Sequence, residues 1–454
     1  MTMNSFIRVP PDSTGKRLFT HQHAIDGTDM QVQVMHLSDP DQPQQIQKID
    51  EQGAASVRFS EGQPIMAGFG SLKVSNQRAL GVYESTLVEN PDFTDEITGT
   101  AAATYNSASS SIVLSTDSTS GSRIFRTSDR HHYYMPGTSN LVMMTVACGD
   151  SGKANNRRCW GLFTENDGLF FALDGTTVKV VVRSSVTGSV VDTAITQANW
   201  NGDKLDGTGL SGVTLDITKI NVWWIDYQWL GGGRVRFGIY GPDGQRITVH
   251  KVQNANTQAL PFMRTGTLPV RFENDNVGAT ASGSELRFVC AAVYAEGNFD
   301  DYIFNRFSTG ILTKNVSAAQ TLLLALRQVA MIDGKHNCIQ TFPETLNVYT
   351  TKPIGITLFQ DVDYSAGTWA ASSYQARLER STDGTFTYAQ SKPMKTFFFN
   401  AGCTTVDLSA FFEVNDRGIM VAADGTQQVW AFLCSPLTAE AADVSINLSY
   451  KELG

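Results

Sequence analysis

Short apolar runs that alternate with polar residues, each closed by a turn rich in glycine, constrain this sequence most strongly. The stretch "KINVWWIDYQWLGGGRVRFGIYGPDGQRITVHKV", from Lys219 to Val252, shows the pattern three times in succession. Successive side chains of a strand point to opposite faces, so alternation predicts strands, and the glycines predict the turns between them. The stretch therefore predicts a three-stranded meander, and similar text along most of the chain predicts an all-β protein.

The composition agrees with an all-β chain of more than one domain. The sequence has 454 residues, which is too long for a single core, and it contains 39 glycines and only 17% charged residues. Its net charge of −9 opposes attraction to phosphate backbones, so we expect no nucleic-acid partner.

The chain divides by pattern into three regions. Residues 1–85 are polar with sparse apolar residues and predict an extended N-terminal arm for assembly, with a flexible terminus as the alternative. Residues 86–306 carry dense strand and turn signals and predict a central β-sandwich of the lectin-like jelly-roll type. Residues 307–454 predict a C-terminal β-sandwich domain, in which "TLLLALRQVAMI" and the final "VSINLSYKEL" are strands.

The two faces of the first meander strand carry different side chains. Trp223, Ile225, Tyr227 and Trp229 share one face, which we expect to be core. Trp224 and Asp226 share the other, which we expect to meet solvent, a sheet rim or a partner, because an ionised aspartate is costly in a dry core. Trp224, Asp226 and the outward Tyr240 are therefore the candidate binding residues, for a glycan or a neighbouring subunit. For the aromatic side chains of the stretch as a whole, core filling is the favoured interpretation, and a glycan or partner platform is the alternative.

One short motif suggests catalysis. "ACGDSGKA", Ala147 to Ala154, resembles the nucleophile loop of chymotrypsin-like serine proteases, which would make Ser151 the nucleophile. The resemblance ends at "GDSG", and no histidine stands in a matching context. We therefore expect a turn at this position, no catalytic residue and no enzyme activity.

Metal and cofactor motifs are equally weak. His131 and His132 in "DRHHYYMPG" are adjacent, so in a strand they face opposite ways and are poor partners for one metal ion. The aspartates Asp167, Asp203 and Asp206 lie in loops without the regular spacing of a calcium loop. We expect these aspartates to stabilise turns, and we expect no metal and no cofactor.

The sequence shows no targeting or membrane signal. No run of 18 apolar residues occurs, and the first residues lack the apolar stretch of a signal peptide. The six cysteines have no disulfide-framework spacing, which indicates free thiols in a reducing compartment. We expect a protein that is made in the cytoplasm and does not insert into a membrane.

Several stretches together resemble virion structural proteins of tailed bacteriophages. They are "GLFTENDGLFFALDG", the text from "VVRSSVTGSVVDTAIT" through "RVRFGIY", "LPVRFENDN" and the terminal "VSINLSYKEL". The resemblance is firmest over the central region. It implies a β-rich component of the tail, neck or capsid exterior, located in the virion, which assembles with copies of itself and with other virion proteins. It carries over no functional residue. The alternative function is a receptor-binding module that recognises a host-surface glycan.

Overall fold

The computed structural model describes residues 77–296, 305–317, 320–373, 375–387, 392–412 and 418–453, together with strands within the first 46 residues. The chain divides into two compact units, Met1–Gln63 and Pro64–Gly454. Nearly all of the regular secondary structure in the described part is antiparallel β-strand, which confirms the predicted all-β class.

Five strands are described in the first unit. Strands β1, β2 and β3 form one antiparallel sheet, and β4 pairs with β5. Their bounds are β1 Ser5–Arg8, β2 Arg17–Ile25, β3 Thr28–Gln33, β4 Ser38–Asp39 and β5 Gln42–Ile46. Most of the arm predicted over residues 1–85 lies outside the described residues, so that prediction and the boundaries at residues 85 and 306 stay predictions.

The next strands build the central sandwich. In chain order they are β6 Gln77–Glu84, β7 Phe93–Thr98, β8 Ala102–Asn106, β9 Ser111–Thr116, β10 Arg123–His132, β11 Asn140–Cys148, β12 Asn156–Phe163, β13 Gly168–Asp174, β14 Thr177–Ser184, β15 Val191–Thr196, β16 Asn221–Tyr227, β17 Val235–Tyr240, β18 Arg246–Val252, β19 Leu268–Asn276 and β20 Ser284–Glu296.

These strands form two antiparallel sheets around one apolar core. Sheet A has the order β15-β14-β13-β12-β19-β10-β7. Sheet B has the order β18-β17-β16-β11-β20-β9-β8, and β6 also pairs with β20. Aromatic rings meet between the sheets: Trp160 of sheet A lies 5.0 Å from Trp223 of sheet B, centroid to centroid, and Phe272 stacks on Phe288 at 4.0 Å. This packing is that of a β-sandwich.

The meander predicted from Lys219 to Val252 is confirmed. Strand β16 pairs with β17, and β17 pairs with β18, both antiparallel. The polar insert before it, expected to be a long rim loop, begins with a 3-10 turn at Gln197–Asn199 and then covers a sheet edge. The backbone amides of Gly202 and Asp203 donate to the carbonyls of Val249 and Thr248, so the insert runs along the outer edge of β18.

The remaining strands build a second sandwich. They are β21 Asn305–Ser308, β22 Leu312–Val316, β23 Thr321–Gln328, β24 Met331–Ile332, β25 Lys335–His336, β26 Gln340–Thr350, β27 Ile354–Gln360, β28 Asp363–Ser365, β29 Ala370–Ala371, β30 Leu378–Ser381, β31 Thr385–Thr387, β32 Lys392–Phe399, β33 Gly402–Asp407, β34 Trp430–Pro436 and β35 Ala442–Leu453, with a 3-10 turn at Ser409–Phe411.

Two sheets enclose the core of this C-terminal region. Sheet C has the order β21-β35-β26-β33, with β22 also on β35, and sheet D has the order β29-β30-β23-β34-β27-β32. The strand predicted at "VSINLSYKEL" is confirmed as β35, and the one predicted at "TLLLALRQVAMI" is confirmed as β23 up to Gln328, after which Met331–Ile332 forms the separate short strand β24. The alternating apolar residues of β35 are buried in the core, namely Val444, Ile446, Leu448 and Tyr450.

Candidate functional site

The three candidate binding residues lie together on the outer face of sheet B. Trp224 and Asp226 are on β16, and Tyr240 ends the neighbouring β17. Arg246 of β18 connects them, because its guanidinium carbon lies 4.4 Å from the Trp224 ring centroid and 5.8 Å from that of Tyr240. The sheet therefore brings together the residues that the sequence analysis selected.

The expectation that Trp224 and Asp226 meet solvent is wrong, while a contact with a partner stays a prediction. Trp224 is 2% exposed and Asp226 is 0% exposed, whereas Tyr240 is half-buried. The Asp226 carboxylate accepts a hydrogen bond from Arg236 Nη2 at 3.0 Å, and the two residues are direct cross-strand neighbours. The ion pair compensates the charge of the aspartate, so this charge does not require contact with solvent.

Trp224 is buried because its neighbour on β17 is a glycine. A Cβ on Gly238 would lie 2.2 Å from Trp224 Cζ2, so the indole lies flat over the backbone at that position. The indole Nε1 donates to the Ile239 carbonyl at 3.0 Å, and Arg246 stacks on the ring. A ligand ring could reach this indole only by displacing the arginine.

Arg246 is itself partly removed from water. Its Nε and Nη2 are buried without a hydrogen-bond partner among the described residues. Burial lowers the pKa of the guanidinium, and Tyr240 and Asp226 oppose that effect. The arginine contributes packing on two aromatic rings in addition to its charge.

A second group of polar side chains surrounds a cavity between the central sandwich and the C-terminal region. The cavity has a volume of about 380 Å³. Its lining from the central sandwich includes Glu96, Glu165 and Arg271, and its lining from the C-terminal region includes His336 and Asp424. Carboxylates, a guanidinium and imidazoles from both regions therefore converge at this cavity.

Two histidine rings stack where these regions meet. His131 of β10 and His336 of β25 have ring centroids 5.0 Å apart with 27° between their planes. Gln340 Nε2 of the C-terminal region also donates to the His131 carbonyl at 3.0 Å. Burial lowers the pKa of His131 to about 3, and the neighbouring His336 and His132 add to the effect. The His131–His336 stack and the neutral His131 ring are therefore part of the packing between the two regions.

His132 faces away from this stack, as strand alternation predicts. Its Nδ1 contacts the Leu268 carbonyl at 3.0 Å, and its Nε2 contacts the Tyr83 hydroxyl at 3.0 Å. Burial lowers the pKa of His132 to about 3. The adjacent histidines therefore have separate structural partners.

Arg271 is the most buried charge at the cavity. Its Nε donates to Glu273 at 2.7 Å and its Nη1 donates to Thr127 at 3.2 Å, while Glu96 lies 3.8 Å from Nη1. Burial raises the pKa of Glu96, Arg271 lowers it, and the nearby Glu165 raises it further. The cavity can accept hydrogen bonds through its carboxylates and donate them through its guanidinium.

The protease-like loop forms a turn around an aspartate. Asp150 Oδ1 accepts from the Gly152 amide at 2.8 Å and from Arg158 Nη2 at 2.6 Å, and Oδ2 pairs with Lys153 at 2.8 Å. Ser151 is exposed beside it. Asp150 therefore acts as the structural centre of "GDSG".

The aspartates weighed as calcium ligands also stabilise loops. Asp167 accepts hydrogen bonds from the backbone and side chains of Ser185 and Arg264. Asp203 accepts from the amides of Leu205 and Ser211. In the part of the chain that the structure describes, no three His, Cys, Asp or Glu side chains are grouped so as to hold a metal ion. None of the helical segments in the described residues is long and apolar enough to span a membrane.

Sequence reasoning missed the cavity and the histidine stack. The adjacent pair of histidines drew attention to His131. His336 lies far along the chain, so the stacking of the two rings depends on how the two regions pack. The sequence shows only ordinary strand and turn patterns around Glu96, Arg271 and Asp424. No local signal connects them.

No family model matches this sequence, and no curated protein matches it. Among solved structures, a protein of unknown function from Shewanella oneidensis MR-1 is similar at 9% identity with a TM-score of 0.32, over 50% of this chain and 90% of that one. The Emp47p carbohydrate recognition domain is similar at 11% identity with a TM-score of 0.32, over 50% of this chain and all of that one.

The receptor binding domain of botulinum neurotoxin type G is similar at 9% identity with a TM-score of 0.29, over 49% of each chain. The chain thus spans about half the length of that neighbour. With TM-scores of 0.32 or less, these likenesses assign neither a family nor a function.

Proposed function

We propose that this protein is a non-catalytic structural component of a tailed bacteriophage virion, part of the tail or of the connection between head and tail. It assembles in the host cytoplasm with copies of itself and with other virion proteins. The observation that carries the proposal is the sequence resemblance, which is firmest over the central sandwich. A β-sandwich that holds Asp95, Asp150 and Asp226 in ion pairs suits a building unit.

Exposed apolar side chains at the start of the sandwich support a role in assembly. Leu87 is 88% exposed and Val88 is 69% exposed, directly after β6. Val82 on β6 is 60% exposed. Clusters of exposed apolar residues are typical of surfaces that contact another protein.

The test is incorporation into particles. Leu87→Asp combined with Val88→Asp places charge on this apolar surface, and we expect the variant to fold but to be depleted from purified particles. Leu210→Asp is the matched control, because Leu210 is also fully exposed but lies in the insert. Quantitative mass spectrometry of gradient-purified particles measures the copies per particle. Absence of the unmodified chain from particles would refute the virion role itself.

A second candidate function is glycan binding, and the cavity at Arg271 favours it. Its carboxylates, the Asn166 amide and the Thr164 hydroxyl are groups that hydrogen-bond sugar hydroxyls. This candidate shifts the expected site away from Trp224 and Asp226, which are buried.

A glycan array probed with the unmodified chain and with Asn166→Ala tests this function. Binding that the substitution abolishes supports it. Thr187→Ala is the control, since Thr187 lines a different cavity. Binding unaffected by Asn166→Ala, or no binding to any glycan, excludes the cavity as a glycan site.

A further inference from the structure

Strand β15 forms one edge of sheet A. Its inner edge pairs with β14 from Lys179↔Thr196 to Ser184↔Val191. Among the described residues, no strand pairs with its other edge. One β15 carbonyl, that of Ile195, accepts a hydrogen bond from Trp200 Nε1 at 3.3 Å. An unpaired edge presents a row of backbone donors and acceptors that a further strand can satisfy.

The side chains of β15 divide cleanly between two faces. Val191, Thr193 and Ile195 lie on the same face as Val180 and Val182, which are core residues. This inner face of the edge is incompletely covered, because Val191 is 51% exposed. Thr193 and Ile195 also line a cavity of about 170 Å³ together with apolar residues of the loop after β18. The edge therefore presents apolar surface as well as backbone groups.

The outer face of β15 carries no unbalanced charge. Asp192 accepts hydrogen bonds from Arg183 Nε at 2.8 Å and Nη2 at 3.0 Å, and from Arg157 Nη2 at 2.9 Å. Burial alone would raise the pKa of Asp192, but the two arginines outweigh it and lower the pKa. The single charged residue of β15 is therefore neutralised within its own sheet and does not repel an incoming strand.

Two other sheet edges carry features that discourage pairing. Strand β32, at the edge of sheet D, contains Lys392, Pro393 and Lys395. The insert covers the outer edge of β18. Lysine, proline and covering loops are the usual means by which proteins protect edge strands. Strand β15 has neither lysine nor proline.

We propose that β15 pairs antiparallel with β15 of a second copy of this chain, with Thr193 on the twofold axis. In this register, Val191 of each copy lies opposite Ile195 of the other copy. The two Thr193 residues lie opposite each other. Apolar β-branched pairs and threonine pairs are favourable directly across an antiparallel ladder. Asp192 then faces Ala194, so like charges do not oppose each other. A twofold interface needs such a self-complementary surface.

Alternative registers fit less well. Placing Ala194 on the axis sets Thr193 opposite Ile195 and moves Val191 beyond the end of the facing strand. Placing Asp192 on the axis sets the two carboxylates directly opposite each other, which is unfavourable. The pairing would join two copies of sheet A into one continuous sheet. This inference deepens the proposed function by naming a surface for self-assembly, but its test uses the purified chain without particles.

Cysteine cross-linking tests the register directly. In a Cys403→Ser background, which removes the exposed native thiol, we expect Thr193→Cys to form a covalent dimer on mild oxidation. Cα atoms directly opposite in a ladder are within the span of a disulfide. Ala194→Cys is the matched control: in this register its Cα atoms lie about 8 Å apart, beyond that span. Equal cross-linking of both variants, or none for Thr193→Cys, overturns the proposal.

A charge at the same position tests the association. We expect Thr193→Lys to shift the chain to monomer in sedimentation velocity, because it places two like charges on the axis. Thr104→Lys is the control, since Thr104 is exposed on β8, the edge strand of sheet B. An unchanged dimer in Thr193→Lys, a monomeric unmodified chain, or loss of the dimer only in Thr104→Lys would each overturn the proposal. Failure of this pairing leaves the virion role to be judged by incorporation into particles.

Discussion

Trp223 and Trp224 are adjacent residues that are buried on opposite faces of sheet B. Trp223 contacts Trp160 and Phe171 in the core, with ring centroids 5.0 and 4.6 Å away. Trp224 lies between the backbone at Gly238 and the guanidinium of Arg246. Both indoles therefore contribute to stability, although one contacts the apolar core and the other a cation.

Replacing either indole is expected to be costly. Trp223→Ala should lower the free energy of unfolding by about 3–5 kcal/mol, since it leaves a large cavity. Trp224→Ala should cost about 3 kcal/mol, because it exposes the Gly238 backbone and removes the ring under Arg246. Urea denaturation of both variants measures the difference. A cost below about 1 kcal/mol for Trp224→Ala would mean that the outer face is not packed as described.

Gly238 is required by the close approach of its neighbours. An added Cβ would lie 2.2 Å from both the Ile247 carbonyl oxygen and Trp224 Cζ2. Since the carbonyl belongs to the backbone, moving the tryptophan does not relieve the clash. Gly238→Ala should therefore destabilise the protein by at least about 2 kcal/mol.

Gly232 provides the matched control for this substitution. A Cβ there meets no atom within 4 Å. Gly232→Ala should change stability by less than about 0.5 kcal/mol in the same denaturation experiment. Similar costs for both alanine variants would contradict the packing at Gly238.

At the scale of elements, a buried carboxylate connects three segments of the central sandwich. Asp167, in the turn before β13, accepts from the Ser185 amide and hydroxyl at 3.2 and 2.8 Å and from Arg264 N and Nε, both at 3.0 Å. Burial alone would raise its pKa, but these hydrogen bonds outweigh it and lower the pKa. The ionised carboxylate holds the β12–β13 turn to the end of β14 and to the loop before β19.

Asp167→Asn should therefore destabilise the sandwich by about 2–3 kcal/mol, because an amide group replaces one acceptor oxygen with a donor that faces other donors. Asp243→Asn is the control: Asp243 is exposed, its carboxylate accepts one hydrogen bond from the Gln245 amide, and we expect a change within about 0.5 kcal/mol. Chemical denaturation at neutral pH compares the two. Equal effects would show that Asp167 does not connect these elements.

At the scale of the whole unit Pro64–Gly454, buried histidines link packing to pH. His131 stacks on His336 where the central and C-terminal regions meet, and its pKa falls from the ordinary 6.5 to about 3. A histidine with a depressed pKa stabilises the folded state fully above its unfolded pKa, and this contribution is lost as pH falls toward the folded pKa. Burial raises the pKa of Glu96, so protonation of Glu96 opposes this loss of stability as pH falls.

We expect the free energy of unfolding to fall between about pH 6.5 and pH 4.5, by roughly 2–3 kcal/mol for His131 alone. His131→Phe keeps an aromatic ring at the stack but cannot bind a proton, so it should flatten this decline even if it lowers stability at neutral pH. Urea midpoints measured across the pH range provide the comparison. Parallel curves for the two proteins would exclude His131 as a source of the pH dependence.

The sequence alone was sufficient to predict the all-β class, several of the strands and many of their faces. Alternation predicted the meander of β16, β17 and β18, the strand β23 and the buried face of β35, because each depends on the local period of two. It also predicted that His131 and His132 have different surroundings, and that Asp167 and Asp203 stabilise loops. These properties depend on residues that are close together in the chain.

The tertiary structure decided which faces are buried and which distant residues meet. Asp226 looked like a solvent-facing residue because the cost of burying a lone charge is high, but Arg236 on the next strand cancels that cost. The flat packing of Trp224 depends on the absence of a side chain at Gly238, in a different strand. The stack of His131 and His336 joins two regions far apart in sequence, so no local period could reveal it. Burial and long-range contact depend on which strands become neighbours, and strand pairing is a property of the folded chain as a whole.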